Sequence, residues 1–411
     1  MAAFDLTEVL IAVGVFTAVV LALVLLILTA RLWLAPTGEV EVLINGRQRA
    51  SASAGNKLLW ELASQGVYLP AACGGRGTCG QCRIVVRAGA GPLLPTEAVH
   101  IRRREAIAGV RLACMTTVQS RLEIEVPDEL LDARRWICEV QSSQSVTTFL
   151  KQLVLALPEG ERIEFEAGDY VLLEAPAHEV RFADFDIGPE YRADWQRYKL
   201  LDLESHSAET VLRAYSLANP PSQAQRIELV VRIATPPPYA SMGTPPGRAS
   251  SFLFSLLPGD KVAVSGPFGH FHARASQREM VMIAGGAGIA PIRSILLDQL
   301  EHGSRRRISL WYGVRNRREL CYHDELAALA AHHDNFYYAV ALSEQDSIGT
   351  WDGHRGFIHD VVNEHYLGEH AAPEDAEYYI CGPPVMSAAV LKLLDDLGVE
   401  PDNIFLDDFG S

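Results

Sequence analysis

Three cysteines and four glycines fall within the ten residues CGGRGTCGQC at positions 73–82. So many glycines leave this stretch with little intrinsic preference for a helix or a strand, so its shape must be fixed by something other than regular backbone hydrogen bonding. The thiols are spaced C-x5-C-x2-C, and a fourth, Cys114, follows further along the chain. We therefore predict that this region folds around a metal centre with four ligands, Cys73, Cys79, Cys82 and Cys114.

The kind of metal centre follows from how the thiols are grouped. The chain has seven cysteines, an odd number with four of them clustered, which fits a disulfide framework poorly and metal ligation in a reducing compartment better. Zinc is the alternative, because Cys79 and Cys82 alone would form an acceptable zinc hook. However, three thiols come from one loop, and its glycines let backbone N–H groups turn toward sulfide acceptors, which a zinc ion lacks. This favours a [2Fe–2S] cluster.

The loop resembles that of the plant-type [2Fe–2S] ferredoxins, whose usual spacing is C-x4-C-x2-C; this chain has one more residue in the first gap. Around the loop, EVEVLING predicts a strand that ends in a hairpin turn at Asn45-Gly46, and RLEIEV at 121–126 predicts a closing strand. Residues 57–64 have a helical pattern. We expect a β-grasp-like ferredoxin domain over residues 36–130.

The segment from Val9 to Ala30 contains no charged residue. As a helix it would span about 33 Å, enough for a hydrocarbon core of about 30 Å. A cleaved signal peptide is the alternative, but it would have a basic start and a shorter apolar stretch, whereas Asp5 and Glu8 precede this one. We expect a single transmembrane helix within an anchor over residues 1–35. Arg31 then favours a cytoplasmic location for the rest of the chain.

The charge of the chain argues against one class of partner. The formal net charge is −15, whereas nucleic-acid surfaces select basic faces. The short basic runs at 102–104 and 305–307 are interpreted as solvated faces. We predict no nucleic-acid partner.

Beyond the ferredoxin region the pattern of apolar residues changes twice. Short strand candidates such as WICEV, YVLLEAP, IELVVRI and KVAVSGP predict an antiparallel β-barrel over residues 131–272. Apolar strands such as VMIAG, ISLWYGV, FYYAVAL and EYYICG then alternate with helical stretches. This alternation predicts an α/β domain with a parallel sheet over residues 273–411. The whole chain is therefore predicted to be multidomain.

Two motifs in the predicted barrel suit a flavin. Arg213 offers a planar fork for a pyrophosphate, Tyr215 a ring for stacking on an isoalloxazine, and Ser216 a hydroxyl for its polar edge. For RAYS alone, a buried tyrosine on a strand is the alternative. The second motif, GRASS at 247–251, opens an apolar helix whose free amides would stabilise a phosphate. A plain N-cap is the alternative for Ser250.

The predicted α/β domain begins with MVMIAGGAGIAPI, a pattern typical of a strand, a glycine turn and a helix. This is the layout of a dinucleotide site, where the backbone approaches a pyrophosphate at a helix N-terminus. The sequence G-G-x-G is a weak match to the usual fingerprint. Later, YYICGPPVM places Cys381 and Gly382 at the carboxyl end of a strand, where open α/β sheets bind ligands. A structural cysteine is the alternative for Cys381.

Taken in order, RAYS, GRASS, GPFG, AGGAGIAP, YGVR and CGPP resemble the ferredoxin–NAD(P)+ reductase superfamily. The resemblance implies FAD bound by Arg213, Tyr215, Ser216, Arg248, Ser250 and Ser251. It implies a nicotinamide nucleotide bound by Gly285, Gly286, Gly288, Pro291, Cys381 and Gly382. It also implies catalytic roles for Ser216, Cys381 and Phe409, the last as a C-terminal aromatic side chain that stacks on the flavin. Arg317 and Arg318 leave the choice between NADH and NADPH open.

The complete order of anchor, ferredoxin, barrel and α/β domain resembles the F subunits of the bacterial Na+-translocating NADH:quinone oxidoreductases. This implies oxidation of NADH, transfer through FAD and the [2Fe–2S] cluster to partner subunits, and attachment to the inner membrane. A long insertion over residues 176–212 is predicted to dock those partners. The alternatives are the reductase component of a bacterial multicomponent oxygenase and a non-catalytic membrane-tethered binding module.

Overall fold

The computed structural model describes residues 6–34, 38–71, 73–131, 133–236, 244–344 and 351–407. The chain divides into two compact units, one formed by residues 1–65 and 83–126 and the other by residues 66–82 and 127–411. The predicted flavin-stacking residue Phe409 lies outside the described residues.

The first unit contains a five-stranded mixed sheet with strand order β2-β1-β5-β3-β4. Its elements are α1 (Leu6–Leu34), β1 (Glu39–Ile44), β2 (Gln48–Ser53), α2 (Leu58–Ser64), β3 (Arg83–Ala88), α3 (Pro95–Ala98), α4 (Arg103–Ile107), β4 (Val110–Leu112) and β5 (Leu122–Glu125). Asn45 and Gly46 join β1 to β2 with φ values of 51° and 66°, as the predicted hairpin turn requires. Strand β5, predicted to be a closing strand, is the central strand of the sheet; it runs parallel to β1 and antiparallel to β3.

The core of this unit lies between the sheet and α2. Val42 and Ile44 alternate on the buried face of β1, and Leu58 and Leu62 are buried on α2. The period of two along the strand and the spacing of four along the helix direct these side chains to one interior. The alternation in EVEVLING therefore identifies the buried face of the strand correctly.

In the isolated chain, several large apolar side chains of helix α1 are exposed; Phe16, for example, is 70% exposed. Among the residues that the structure describes, no helix combines the length and the apolar character needed to cross a bilayer. The transmembrane anchor over residues 1–35 stays a prediction.

The second unit begins with an antiparallel sheet of six strands in the order β11-β8-β13-β6-β7-β12. Its elements up to the next sheet are α5 (Asp128–Leu131), β6 (Arg134–Ser145), β7 (Leu150–Ala156), β8 (Tyr170–Ala175), β9 (His178–Arg181), α6 (Pro189–Arg197), β10 (Glu204–Ser207), β11 (Val211–Ser216), β12 (Arg226–Arg232), α7 (Arg248–Ser255) and β13 (Lys261–Phe268). An isolated bridge between Leu217 and Leu229 joins the two edges of the sheet. Contact between edge strands is expected of the predicted barrel.

The second sheet of this unit is entirely parallel, in the order β17-β16-β15-β14-β18-β19. Its elements are β14 (Met280–Gly285), α8 (Ile289–Glu301), β15 (Ile308–Val314), α9 (His323–His332), β16 (Phe336–Leu342), β17 (His354–Arg355), α10 (Ile358–His365), β18 (Glu377–Cys381), α11 (Pro384–Asp396) and β19 (Ile404–Asp407). After β14 the chain adds β15, β16 and β17 in turn on one side of it. The chain then returns and adds β18 and β19 on the other side of β14. This reversal makes the carboxyl ends of β14 and β18 the topological switch point.

The insertion over residues 176–212 contributes to the core beside the antiparallel sheet. It forms β9 and β10, which pair with each other, and α6 between them. Trp195 of α6 is fully buried, and its ring stacks against Phe254 of α7 at 6.1 Å. The insertion is thus an integral part of this unit as well as a surface feature.

Candidate functional site

The cysteine loop owes its path to its glycines. Gly74, Gly75, Gly77 and Gly80 all have φ between 66° and 80°, the left-handed region that a side chain disfavours. A Cβ on Gly74 would also overlap the carbonyl oxygen of Leu212. Backbone conformation therefore favours glycine at all four positions, and close approach favours it at Gly74 as well.

Several hydrogen-bond donors converge on the sulfur of Cys73. Hydrogen bonds from the side chain of Cys79 and from the backbone N–H groups of Cys79, Thr78 and Arg76 lower the pKa of the Cys73 thiol well below its usual range, against the opposing effect of its burial. Amide donors directed at a sulfur atom are a typical second shell of an iron–sulfur cluster. The loop therefore fits a group with acceptor sulfurs.

The other predicted ligands are Cys82, which is buried in the same loop, and Cys114, which is buried after β4. All seven cysteines lie among the described residues, and none forms a disulfide. Within the described part of the chain, no group of three or more His, Cys, Asp or Glu side chains is arranged to hold a metal ion. The assignment of all four cysteines as ligands therefore stays a prediction.

The cysteine loop lies directly on the strand that carries the predicted flavin residues. The guanidinium of Arg213 on β11 donates a hydrogen bond to the carbonyl oxygen of Cys73. From β8, the Tyr170 hydroxyl donates to Oε1 of Gln81 at 2.9 Å. Burial, followed by the nearby charge of Arg76, lowers the pKa of Arg213, and the described residues place no carboxylate within ion-pairing distance of it. A half-buried cation of this kind is suited to an anion such as a pyrophosphate.

The remaining predicted flavin residues differ in what they present. Tyr215 packs beside the core, and burial raises the pKa of its hydroxyl. Arg248 donates to Oε1 of Glu209 at 3.3 Å. The hydroxyls of Ser250 and Ser251 both donate to the carbonyl oxygen of Gly247, at 3.1 and 2.8 Å. These two serines are buried and brace the first turn of α7, whose N-cap is Gly247.

One carboxylate joins the flavin strand to the nucleotide sheet. Oδ2 of Asp407 accepts a hydrogen bond from Ser216 Oγ at 3.2 Å and lies 3.9 Å from Cys381 Sγ. The register of β18 and β19 sets Asp407 directly beside Cys381. Sequence reasoning placed Ser216 and Cys381 at the site but missed Asp407, because only the sheet register brings it there.

The glycines of the predicted nucleotide turn have separate roles. A Cβ on Gly288 would overlap the carbonyl of Cys381, and one on Gly285 or Gly382 would meet Met386. These three glycines allow the turns after β14 and β18 to pack together at the switch point. By contrast, Gly286 has a φ of 54° and open space where a Cβ would be, so its backbone is accessible to a ligand.

Helix α8 is fixed to the segment that follows β11. Pro291 is buried in its first turn, where the missing N–H has no intrahelical partner to lose. Ser294 donates to the carbonyl oxygen of Asn219 at 2.7 Å, and Arg293 donates to that of Ala218 at 2.6 Å. These contacts, which sequence reasoning missed, hold the nucleotide helix against the flavin strand.

A cavity of about 620 Å³ opens at the carboxyl end of β15. Four arginines line it: Arg197, Arg315, Arg317 and Arg318. Three carboxylates line it as well: Asp194, Glu319 and Glu344. Arg197 and Asp194 come from the insertion, and the rings of Phe149 and Tyr198 meet at 5.7 Å in its wall. The cavity combines cationic groups with aromatic faces.

Comparison with protein families finds three domains in this chain. The 2Fe-2S iron-sulfur cluster binding domain matches residues 42–119, the oxidoreductase FAD-binding domain matches residues 196–273, and the oxidoreductase NAD-binding domain matches residues 282–392. These matches confirm the predicted cofactors, a [2Fe–2S] cluster and FAD, with NAD as the nucleotide.

Solved structures with the same fold include reductases that serve oxygenases. The Amycolatopsis cytochrome P450 reductase GcoB has a TM-score of 0.63 and 25% identity, over 90% of this chain and 98% of that one. A ferredoxin reductase in carbazole 1,9a-dioxygenase has a TM-score of 0.60 and 23% identity over the same shares. Because its identity is below 25%, the likeness to the carbazole dioxygenase reductase shows only that the two proteins share a fold.

Relatives with much higher identity extend over almost the whole chain. The F subunit of the Na(+)-translocating NADH-quinone reductase of Neisseria gonorrhoeae is 50% identical over 404 residues, which cover 98% of this chain and all of that protein. The corresponding F subunit of Idiomarina loihiensis is 50% identical over 406 residues, covering 98% of this chain and 99% of that protein. At this identity and coverage, the chain belongs to the family of F subunits of the Na(+)-translocating NADH-quinone reductases.

Proposed function

We propose that this chain oxidises NADH and passes the electrons through FAD and a [2Fe–2S] cluster to partner subunits of a sodium-pumping NADH:quinone oxidoreductase. The observation that carries the proposal is the contact of Asp407 with both Ser216 and Cys381. It brings the end of the flavin strand to the switch point of the nucleotide sheet. A bound flavin accepts a hydride as an electron pair and releases electrons singly, which suits an iron–sulfur cluster.

The residues proposed for FAD divide into ligand-facing and supporting groups. Arg213, with its half-buried charge, would bind the pyrophosphate, and Tyr215 would stack on the ring. Ser250 and Ser251 would act by bracing the N-terminal turn of α7, whose amides face the phosphate. Arg248 would add positive charge at the same turn.

The nicotinamide nucleotide is proposed to lie across the carboxyl ends of β14 and β18. The accessible backbone of Gly286 and the start of α8 would face its pyrophosphate. Gly285, Gly288, Pro291 and Gly382 would shape the turns that leave this space. The arginine-lined cavity after β15 would receive the adenosine end.

The proposed catalytic residues hold the reacting end of the nucleotide. Hydrogen bonding to Asp407 fixes the hydroxyl of Ser216, and the neighbouring thiol of Cys381 closes the other side of the site. The neighbouring strands β14 and β18 are buried and apolar, and a dry site would protect a hydride from protons. The predicted role of Phe409 as a stacking residue is retained from the sequence resemblance.

The cluster is proposed to bind Cys73, Cys79, Cys82 and Cys114. Support comes from the left-handed glycines and from the donors directed at Cys73. The hydrogen bond between Arg213 and the Cys73 carbonyl gives the flavin strand and the cluster loop a direct contact.

We further propose a membrane anchor over residues 1–35, a ferredoxin domain over 36–130, a flavin domain over 131–272 and a nucleotide domain over 273–411. The uncharged run from Val9 to Ala30 and the exposed apolar side chains of α1, such as Phe16, support the anchor. The chain would then be a single-pass protein of the bacterial inner membrane with its other domains in the cytoplasm.

The test is a titration of the detergent-purified, cofactor-loaded chain with NADH. We expect bleaching of the flavin absorbance followed by a paramagnetic signal from the reduced cluster. Flavin that stays oxidised would refute the proposal and would favour the alternative, a non-catalytic membrane-tethered binding module. Reduced flavin without an iron signal would refute the cluster as the exit for electrons.

A second candidate is the reductase component of a multicomponent oxygenase, favoured by the structural likeness to GcoB. Such reductases are soluble, whereas the proposed function requires partition into membranes. Recovery of the full chain in the soluble fraction would favour this second candidate.

A further inference from the structure

We propose that Asp194, which the insertion over residues 176–212 contributes to the arginine-lined cavity, selects NADH against NADPH. This inference rests on the proposed function, in which the adenosine end of the nucleotide occupies that cavity. It gives the insertion a role at the substrate site in addition to any role in docking partners.

The position of the cavity determines which part of the nucleotide it would bind. It opens at the carboxyl end of β15, the strand next to β14, whose glycine turn begins α8. In dinucleotide-binding sheets a carboxylate near this point hydrogen-bonds the ribose 2′-hydroxyl of NAD, whereas an arginine accommodates the 2′-phosphate of NADP. The chain after β15 has the sequence RNRRE and supplies Arg315, Arg317 and Arg318. By themselves these arginines would favour the phosphate.

The insertion supplies a carboxylate, that of Asp194, which pairs with one of these arginines. Nη1 of Arg318 donates to Oδ2 of Asp194 at 3.1 Å, and Oγ1 of Thr148 donates to the same oxygen at 3.1 Å. The indole of Trp195 donates to the carbonyl oxygen of Thr148 at 2.7 Å, which fixes α6 at this edge of the cavity. The carboxylate of Asp194 is therefore held in place because Trp195, the next residue of α6, is buried and bonded to Thr148.

A second arginine is already paired within its own loop. Arg315 forms an ion pair with Glu319 and lies 3.9 Å from Glu344. The three carboxylates of the cavity thus pair with two of its four arginines, Asp194 with Arg318 and both Glu319 and Glu344 with Arg315. A 2′-phosphate that approached Arg315 or Arg318 would therefore also approach the carboxylate already paired with it. Repulsion between like charges weakens NADPH binding, whereas a ribose hydroxyl can donate a hydrogen bond to a carboxylate.

The test compares kcat/KM for NADPH and NADH in the full, FAD-loaded chain with a dye as electron acceptor. For Asp194→Asn we expect the ratio of NADPH to NADH to rise about tenfold, because one repelling charge is removed and Arg318 is released. Asp194→Glu should keep a ratio close to that of the wild type. The matched control is Asp184→Asn, which removes a carboxylate of the same insertion that is paired with Arg181 outside the cavity.

A second variant keeps the test decisive if Asp194→Asn loses its flavin. Arg318 has a side chain that is 63% exposed, so Arg318→Ala should fold. It would leave Asp194 uncompensated, and we expect the NADPH to NADH ratio to fall below that of the wild type. An unchanged ratio in these variants, with NADH still bleaching the flavin, would overturn this inference and leave the proposed function standing. A wild-type flavin that NADH cannot bleach would overturn both.

Discussion

At the residue scale, the site depends on a single carboxylate at the end of the last described strand. The side chain of Asp407 lies 3.2 Å from the Ser216 hydroxyl and 3.9 Å from the Cys381 thiol. A negative charge between a hydroxyl and a thiol orients the hydroxyl proton and restricts the thiol. The role that we propose for Asp407 is positioning, since it would act through the two groups that it contacts.

We expect Asp407→Asn to slow flavin reduction by NADH by about tenfold, less than the roughly 100-fold or more typical of a group that itself transfers a proton, because Asp407 acts through its neighbours. The amide preserves the size of the side chain, but it replaces one carboxylate oxygen by an NH2 donor and removes the negative charge, which weakens the hydrogen bond from Ser216. Stopped-flow absorbance at saturating NADH measures the rate. Asp402→Asn, an exposed carboxylate shortly before β19, is the matched control. Equal rates in both variants and the wild type would contradict the positioning role.

Lys151 is a second residue whose behaviour follows from its surroundings. It is only 1% exposed, and its Nζ donates to the carbonyl oxygen of Phe254, at the end of α7, at 2.9 Å. Burial lowers the pKa of this lysine to about 8. The cation thus lies at the carboxyl end of the helix whose first turn faces the proposed FAD phosphate, where a positive charge is favourable.

The pH dependence of stability follows from the lowered pKa. Between about pH 8 and 10.5 the unfolded chain binds the lysine proton more fully than the folded chain, so the free energy of unfolding rises with pH. We expect the wild type to gain stability relative to Lys151→Met across this range, by at most about 3 kcal/mol. Thermal midpoints of both proteins from pH 7.5 to 10 measure the difference. A constant difference would show that Lys151 does not titrate with a lowered pKa.

At the scale of elements, the insertion and α7 form one packed group. Trp195 of α6 contacts Phe182, Phe185 and Phe254 with ring centroids 5.9–6.2 Å apart. Deleting residues 176–212 would therefore remove part of the core beside the flavin helix, and it would not isolate a docking surface. A test of the prediction that the insertion docks partner subunits therefore requires substitutions of residues on its exposed side.

We expect Trp195→Ala to destabilise this group by about 3–5 kcal/mol, because it leaves a cavity against Phe254 and unpairs the Thr148 carbonyl. The consequence should be loss of bound FAD, measured as the ratio of flavin to protein after gel filtration. Arg192→Ala, on the exposed side of the same helix, should retain its flavin. If Trp195→Ala retains a full complement of FAD, the insertion does not support α7.

At the scale of the whole molecule, the chain extends over the full length of its F subunit relatives and matches all three cofactor domains. The parallel sheet and the antiparallel sheet are fixed together through Arg293 and Ser294. The proposed site of flavin reduction therefore lies within one unit of the fold, whereas residues 1–35, the predicted anchor, belong to the other unit.

We expect removal of residues 1–35 to shift the protein from the detergent phase to the aqueous phase while NADH–dye reduction is retained. The physical reason is that the apolar run is confined to this segment. Detergent phase partition and dye reduction are measured on the same preparations, with the full chain as the control. A full chain that is already in the aqueous phase would contradict the anchor.

The sequence predicts which cofactors bind more completely than it predicts the geometry of the site. The glycines around Cys73, the hairpin at Asn45-Gly46 and the order of strands and helices are predicted correctly, because each depends on the conformation or periodicity of neighbouring residues. The cofactor-binding roles of Ser250 and Gly288 stay predictions; in the structure the Ser250 hydroxyl donates to the Gly247 carbonyl, and Gly288 packs closely against the Cys381 carbonyl. Local chemistry does not distinguish a ligand-facing group from one that braces a turn.

What the sequence determined by itself is the inventory of modules, since thiol spacing, glycine turns and apolar periods are local properties of the chain. What only the tertiary structure decided is which distant side chains meet. Asp407 reaches Cys381 through the register of two parallel strands, and Asp194 reaches Arg318 through the packing of Trp195. Register and packing depend on contacts between residues far apart in the chain, and no local pattern specifies them.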